Sequence, residues 1–309
     1  MNRSDYIFAL SEREQLGKLL KQLPDGPSIS RKSLEARLHK VERVLHDASP
    51  LNHEPTHAVL TFKGPPVMGT HGISASFGSK AVAFFNDAIA YVASAFNGPL
   101  PIAGKIPNIE NNHLMITSSA RGSFGFVLEE FRPDSPLPFD EPTPVSLALD
   151  KTQKILKTSI DNDDDRLSEA LDDFDARALE KIRNFISYLK ENKTVFTLKN
   201  NDFTLKFNDT IQLENALAKL SSDNIKLESV TEDVYFLGTL PNKRQCEFII
   251  LGDTDIKTAK IDNAFSDPSV INKHLGSLAS AKFIKKTVGS GKPRFTLIEE
   301  PLWDTQKKI

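Results

Sequence analysis

The stretch IKLESVTEDVYFLGTLPNKRQCEFIIL, residues 225–251, decides the fold of the C-terminal part of the chain. It contains two runs that favour β-strands. Three more such runs follow, at residues 256–261, 282–288 and 294–299. One helix interrupts them, because Asp267 and Pro268 are typical of a helix start and Gly276 of a helix end. Five short strands with one helix predict a small β-barrel of the OB or SH3-like kind.

Upstream of this stretch, a two-residue periodicity begins at Thr194 and predicts a hairpin that turns around Asn200. A short helix with Leu213 and Leu217 follows the hairpin. Residues 193–309 are therefore assigned to one β-rich C-terminal domain.

The preceding segment, residues 143–192, is predicted to be helical. Thr143 and Pro144 are typical of an N-cap followed by the first helical residue. The apolar pattern predicts three helices, at about residues 144–160, 165–172 and 176–191. The prolines that cluster between residues 133 and 144 indicate a linker, so the main boundary of the chain is expected there.

The N-terminal residues 1–50 predict a helical hairpin. Ser11 and Glu14 form the capping-box pattern S-x-x-E, which predicts that the first helix starts there. The second helix has apolar residues at helical spacing, namely Leu34, Leu38, Val41 and Leu45. The hairpin has a single apolar stripe, so we expect a partner to cover it.

Residues 51–142 predict a mixed α+β domain. Residues 58–62 favour a strand, and a glycine-bearing loop at 69–78 leads into a long helix that is apolar around much of its circumference. Two further strands are predicted at residues 113–117 and 122–128. The predicted fold class is therefore α+β: a helical hairpin, a mixed α/β segment, a helical middle and a barrel-like C-terminal segment.

The composition excludes several classes of protein. The chain has 309 residues, of which 39% are hydrophobic and 26% charged, a balance typical of globular domains. The formal net charge of −2 argues against a surface covered by nucleic acid. The single cysteine, Cys246, cannot form an intrachain disulfide. No signal-peptide pattern and no apolar run of about 18 residues is present, so we expect a cytoplasmic protein that does not enter a membrane.

Two motifs resemble metal sites, but both depart from what the metal requires. His53 to His57 spell H-E-x-x-H, yet Pro55 would break the helix that the zinc motif needs. Residues 161–172 begin like a calcium loop, yet Arg166 stands where glycine is required. The acidic run is instead expected to start a helix. No catalytic constellation is recognised, so we expect no metal and no cofactor, and a non-enzymatic role is favoured.

One sustained basic segment lies in the last predicted hairpin. Its cationic residues are Lys282, Lys285, Lys286, Lys292 and Arg294. Phe283 and Phe295 alternate with them, so the hairpin could bind a phosphate backbone while its rings stack on bases. Two other interpretations stay open: the lysines protect an exposed edge hairpin, and the two rings belong to the core.

The glycine-bearing loop before the long helix predicts a second anion site. Backbone N–H groups at a helix N-terminus bind anions, and His71, Lys80 and Arg121 would assist. The spacing around Gly78 does not match a P-loop, however, so a flexible entry loop is the simpler interpretation.

The stretch ARGSFGFVLEE, residues 120–130, with the phenylalanine-rich helix before it, resembles an uncharacterised bacterial protein family that carries an RGSFGF-E stretch. The later run from Gly238 to Phe248 is similar as well. Some members of that family accompany anti-phage defence genes, and the resemblance therefore implies an accessory or subunit role in antiviral defence. It implies no catalytic residue.

Three functions fit these patterns, and we favour the first. It is a non-catalytic bacterial cytoplasmic binding or assembly subunit, which contacts a protein partner or forms a homo-oligomer through the hairpin and through Phe124 and Phe126. The second is a nucleic-acid-binding protein that contacts DNA or RNA through the basic C-terminal hairpin. The third is a hydrolase or phosphate-binding enzyme around His71, Lys80 and Arg121.

Overall fold

The computed structural model describes residues 3–23, 28–48, 56–107, 109–120, 124–131, 142–161, 163–172, 174–200 and 203–308. The predicted mixture of helices and strands is confirmed, as is a barrel in the C-terminal region. The chain divides into two compact units. Unit 1 contains residues 1–153 and 175–210, and unit 2 contains residues 154–174 and 211–309. The predicted division into four segments stays a prediction.

The elements are numbered in chain order. The N-terminal part contains α1 (Arg3–Gln22), α2 (Ile29–Ala48), β1 (His57–Lys63), β2 (Val67–Met68), β3 (Gly72–Ile73), α3 (Ala75–Ala95), β4 (Leu114–Ala120) and β5 (Gly125–Glu130). The middle contains α4 (Pro144–Ile160), α5 (Asp164–Ala170), α6 (Ala176–Glu191), β6 (Val195–Asn200), β7 (Phe203–Lys206) and α7 (Thr210–Lys219). The C-terminal part contains β8 (Ile225–Leu240), β9 (Gln245–Ile250), β10 (Lys257–Ile261), β11 (Ser277–Val288), β12 (Arg294–Leu297) and β13 (Leu302–Lys308).

Helices α1 and α2 of unit 1 pack against each other. Their shared core contains Tyr6, Ala9, Leu16, Val41 and Leu45. The capping-box prediction is wrong, because α1 already begins at Arg3 and Ser11 lies inside it. The apolar stripe extends through Tyr6 and Ala9 towards the N-terminus, and packing against α2 favours a helix over that whole length.

The other part of unit 1 is an antiparallel sheet with the strand order β4-β5-β1-β6-β7. The predicted hairpin formed by β6 and β7 is confirmed. Ala58, Leu60 and Phe62 of the central strand β1 are buried, and the residues between them are only half-buried. Since side chains alternate along a strand, one face of the sheet forms the core.

Aromatic contacts tie α3 and α6 to this sheet. The Phe77 ring lies 5.5 Å from Phe62, measured between ring centroids. Phe185 of α6 lies 5.4 Å from Phe85 of α3 and 5.1 Å from Phe196 of β6. The long helix α3 is therefore buried on more than one side, in agreement with its apolar circumference.

Two helix starts differ in how well the sequence predicts them. The predicted start of α4 is confirmed, because Pro144 is its first residue and the Thr143 hydroxyl accepts a hydrogen bond from the Ser146 N–H at 3.1 Å. The predicted loop at residues 69–78 is shorter than expected, since α3 begins at Ala75 and includes Gly78.

Unit 2 contains a closed barrel with the strand order β8-β9-β10-β12-β11. Neighbouring strands are antiparallel except β10 and β12, which are parallel. β12 pairs with both β10 and β11 and so closes the barrel. The single predicted helix between β10 and β11 is a short 3₁₀ helix, Pro268–Lys273, capped by the Asp267 carboxylate.

The barrel interior is rich in phenylalanine. Phe248 stacks on Phe283 with 4.7 Å between ring centroids, and its ring lies 5.5 Å from Phe295. The sequence pattern does not predict β13, in which only Leu302 and Trp303 are apolar. The Trp303 ring packs on Phe236 at 5.5 Å, so this strand is held by a single large side chain as well as by its pairing with β11.

Gly125, which belongs to the RGSFGF-E stretch, lies where no side chain fits. A Cβ atom there would lie 2.1 Å from the Leu60 carbonyl oxygen and 2.5 Å from the Thr61 Cα of the neighbouring strand. Both atoms belong to the backbone, so neither can move without disturbing β1. A glycine is therefore required by the β1–β5 pairing.

We expect Gly125→Ala to lower the free energy of unfolding by about 2–3 kcal/mol, because it forces the two central strands apart. Urea denaturation followed by circular dichroism measures the change. Gly238→Ala in β8 is the control, since no atom lies within 4 Å of its added Cβ, and we expect it to cost less than about 1 kcal/mol. Equal losses in the two variants would contradict the close approach at Gly125.

Candidate functional site

An open cleft of about 740 Å³ lies on the outside of unit 2, beside β10, β12 and α5. Its charged lining residues are Lys257, Lys260, Lys292, Arg294, Asp165, Asp172 and Asp255. These are four cations and three carboxylates, and a further carboxylate, that of Asp253, lies 2.7 Å from the Lys257 Nζ. The cleft is therefore close to neutral, and an anionic ligand would compete with these carboxylates for the cations.

The alternation of side chains in β10 and β12 places the cations outside the barrel. Ala259 of β10 and Phe295 of β12 point into the core and are paired in register. Their neighbours Lys260 and Arg294 consequently lie on the outer surface. The strands that close the barrel thus also supply its cationic surface.

Asp172, two residues after α5, holds two of these cations. Its Oδ2 lies 2.9 Å from the Lys260 Nζ and 3.6 Å from the Arg294 Nη1. The Lys286 ammonium donates a hydrogen bond to the Leu171 carbonyl oxygen at the same helix end. A helix C-terminus carries partial negative charge, so three cations from three strands gather there.

The first turn of α5 holds the loop between β11 and β12. The Asp164 carboxylate accepts hydrogen bonds of 3.1 Å from both the N–H and the hydroxyl of Ser290. The Asp165 carboxylate accepts one of 2.6 Å from the Lys292 N–H. This contact fixes the backbone of Lys292 while its side chain remains exposed at the cleft.

The five basic residues predicted to bind nucleic acid do not form one free patch. Lys286 and Arg294 contact the end of α5, and the Lys282 Nζ lies 3.9 Å from the Glu299 carboxylate. Within the described part of the chain, the side chains of Lys285 and Lys292 have no hydrogen-bond or ion-pair partner. Of the five, only Lys292 and Arg294 line the cleft.

The aromatic part of that prediction is wrong. Phe283 is fully buried and Phe295 is 6% exposed, and both rings pack inside the barrel. The alternative interpretation, in which these rings belong to the core, is confirmed. They cannot stack on a base, because their faces are covered by Phe248 and by each other.

Lys257 and Lys260 were not predicted as site residues, and Asp172 was predicted only as part of the acidic run at residues 161–172. The alternation of Lys260 with Ala259 and Ile261 is the signal that places it outside the barrel. No local pattern connects Lys260 with Asp172, because the two residues are far apart in the chain and meet only through the fold.

The second predicted anion site is only partly covered by the described residues. His71 lies in the turn between β2 and β3, and Lys80 lies in the second turn of α3. Both side chains are exposed, whereas Arg121 lies outside the described residues. An anion site or a hydrolase around these three residues stays a prediction.

Phe124 and Phe126, predicted as an interaction surface, are half-buried. Their ring centroids are 6.3 Å apart in an edge-to-face arrangement. The Phe124 N–H donates to the Gly69 carbonyl oxygen at 3.2 Å, and its own carbonyl accepts from the Phe62 N–H at 3.0 Å. This stretch therefore has a structural role in joining the turn before α3 to the sheet. Its role as an interaction surface stays a prediction.

The two metal-like motifs have different outcomes. His57 begins strand β1, while His53, Glu54 and Pro55 lie outside the described residues. The acidic run does start a helix as predicted, since the Asp163 side chain caps α5 by accepting a hydrogen bond from the Arg166 N–H. Among the described residues, no group of three or more potential ligands could hold a metal ion.

None of the described helices combines the length and the apolarity that a membrane span requires. Comparisons of the chain with protein-family models, with curated proteins and with solved structures find no match.

Cys246 of β9 lies in the barrel core and is 2% exposed. Burial raises the pKa of its thiol from an ordinary value near 9 to about 12, and a hydrogen bond with the Ala259 backbone opposes the shift. A neutral buried thiol is a poor nucleophile, so Cys246 is a core residue and not a candidate catalytic group.

We expect Cys246 to react with a thiol reagent at pH 8 about a thousandfold more slowly in the native protein than in the unfolded chain. The raised pKa alone reduces the thiolate fraction by about that factor. Absorbance after addition of dithiobisnitrobenzoate, with and without guanidinium, measures both rates. Rapid reaction of one thiol per native chain would show that this side of the barrel is open.

Proposed function

We propose that unit 2 is a non-catalytic binding domain that holds single-stranded nucleic acid in its charged cleft. The observation that carries the proposal is the convergence of Lys257, Lys260, Lys292 and Arg294 on one open groove. They come from two barrel strands and the loop between β11 and β12. Phosphate groups are the ligands that such a set of lysine and arginine side chains binds well.

The strand order supports an OB-type barrel over an SH3-like one. An OB barrel is a five-stranded Greek-key barrel that binds oligonucleotides on its second and third strands and on the loop between its fourth and fifth. The corresponding elements are β9, β10 and the β11–β12 loop. Gln245, Lys260 and Lys292, one from each of these elements, line the cleft.

The size and charge of the cleft favour a short piece of a single strand. Its volume of about 740 Å³ lies in the range of pockets for small ligands and holds roughly two or three nucleotides. Ile256, which is 62% exposed, and Pro293 give the lining an apolar part that bases can contact. Because the barrel's phenylalanine rings are buried, we expect little sequence preference.

The salt dependence of binding follows from the small number of cations. If about three phosphates are neutralised, the slope of log K against log salt is about −2 for a single strand. Affinity for an oligothymidylate would then fall about 15-fold between 50 and 200 mM salt. Fluorescence anisotropy measures this slope, and a slope near zero would contradict phosphate binding.

Lys292→Ala is expected to weaken binding several-fold and to reduce the slope by about 0.7, the contribution of one phosphate contact. The fold should be unaffected, because Asp165 binds the backbone N–H of residue 292 and not its side chain. Lys273→Ala is the matched control, since Lys273 is an exposed lysine in unit 2 that does not line the cleft. Equal effects of the two variants would argue against binding in the cleft.

We expect Asp172→Asn to have opposite effects on nucleic-acid binding and on the stability of unit 2. We expect it to destabilise unit 2 by about 0.5–1 kcal/mol, because two partly exposed ion pairs lose their carboxylate. We expect it to strengthen oligothymidylate binding several-fold, because Lys260 and Arg294 lose a competing anion. Urea denaturation and anisotropy measure the two effects, and a loss of both stability and affinity would contradict the proposed role of Asp172.

A further inference from the structure

The helical hairpin has a flank that borders its core and extends beyond it, since the core residues Ala9 and Val41 form the floor of a groove there. The groove on this flank is lined by Asp5, Phe8, Ala9, Glu12, Arg37, Lys40, Val41 and Val44. Within the described residues, no other helix or strand packs extensively against α1 or α2. Among the described elements, α1 and α2 are therefore each other's main packing partners.

Large apolar residues lie at both ends of this flank. Phe8 is 69% exposed and Val44 is 41% exposed, and they line the same groove. Leu19 is 47% exposed and follows Glu12 by seven residues, which places it on the same side of α1. Ile29 is 90% exposed and precedes Arg37 by eight residues, which places it on the same side of α2.

The charged residues between these ends have opposite signs on the two helices. α1 contributes the acidic residues Asp5 and Glu12, whereas α2 contributes the basic residues Arg37 and Lys40. Glu12 and Arg37 already form an ion pair of 2.5 Å within the hairpin. The flank is therefore acidic along one helix, basic along the other, and apolar at both ends.

We propose that this flank binds the same flank of a second copy of the chain, forming a four-helix bundle. A twofold axis parallel to the helices would place α1 of each copy on α2 of the other. Asp5 and Glu12 would then face the partner copy's basic helix, and the apolar ends of the two flanks would contact each other. The other twofold arrangement, α1 on α1, would bring acidic residues together. Charge complementarity therefore selects a bundle in which all neighbouring helices are antiparallel, a common bundle topology.

The expected interface is small. Two helices of about 30 Å, lying about 10 Å apart, offer roughly 600 Å² per copy and roughly 1,200 Å² in total. That total is at the lower limit for a specific interface, so we expect a dissociation constant in the micromolar range. This inference does not depend on nucleic-acid binding by unit 2.

Sedimentation of the full chain over about 2–200 µM tests the proposal. We expect the mass to rise from 34.3 kDa towards twice that value. Val44→Glu should raise the dissociation constant at least about tenfold by placing a charge at the apolar end. His39→Glu is the control, because His39 is exposed on the other side of α2 and should leave the constant unchanged. A chain that stays monomeric throughout, or equal effects of these two variants, overturns the proposal.

A charge-exchange experiment tests the pairing itself. A chain with Asp5→Lys and Glu12→Lys has an entirely basic flank, and a chain with Arg37→Glu and Lys40→Glu has an entirely acidic one. Each is expected to be monomeric alone, whereas an equimolar mixture should form a heterodimer. Circular dichroism verifies that both chains remain helical. Failure of folded chains to associate in the mixture rejects the charge-paired arrangement.

Discussion

The pairing of β12 with both β10 and β11 is the constraint on which unit 2 depends. This strand spans only Arg294–Leu297, yet it supplies the hydrogen bonds that close the barrel. Closure requires Phe295 and Leu297 to point into the core, and alternation then requires Arg294 and Thr296 to point outward. The register with β10 sets Lys260 opposite Thr296 on the same outer surface. The positions of the surface charges are thus a consequence of how the core is closed.

The closed barrel also provides the surface on which α5 packs. A helix of seven residues has too few internal hydrogen bonds to be stable alone. Its first turn accepts hydrogen bonds from the β11–β12 loop, and its last carbonyl groups accept one from Lys286. The charges at both ends also agree with the helix dipole, because acidic side chains occupy the first turn and cations meet the last carbonyl groups. The helix is therefore part of the cleft and shares the cations that a ligand would need.

Local patterns predicted the elements better than the contacts between them. The periodicity around Phe236 and Phe248 predicts strands because each needs one buried face. The capping-box pattern at Ser11 failed because the packing of Tyr6 on the second helix outweighs a local hydrogen bond. The basic segment was recognised from its sequence. However, Lys286 in this segment contacts Leu171, which is 115 positions away, and no sequence pattern indicates that two residues so far apart are in contact. Half of the cleft's cations could be predicted from the basic segment, and the acidic residues that oppose them could not.

The two proposals have a joint consequence for affinity. A cleft whose cations are nearly balanced by carboxylates, in a chain with a formal net charge of −2, binds a polyanion weakly by itself. A dimer carries two such clefts. If one strand of nucleic acid engages both, the second contact becomes intramolecular and raises the overall affinity by a factor of about 100 or more. The number of phosphates neutralised, and with it the salt slope, then roughly doubles. Disruption of the hairpin would therefore weaken binding to a long strand and leave binding to a short one unchanged.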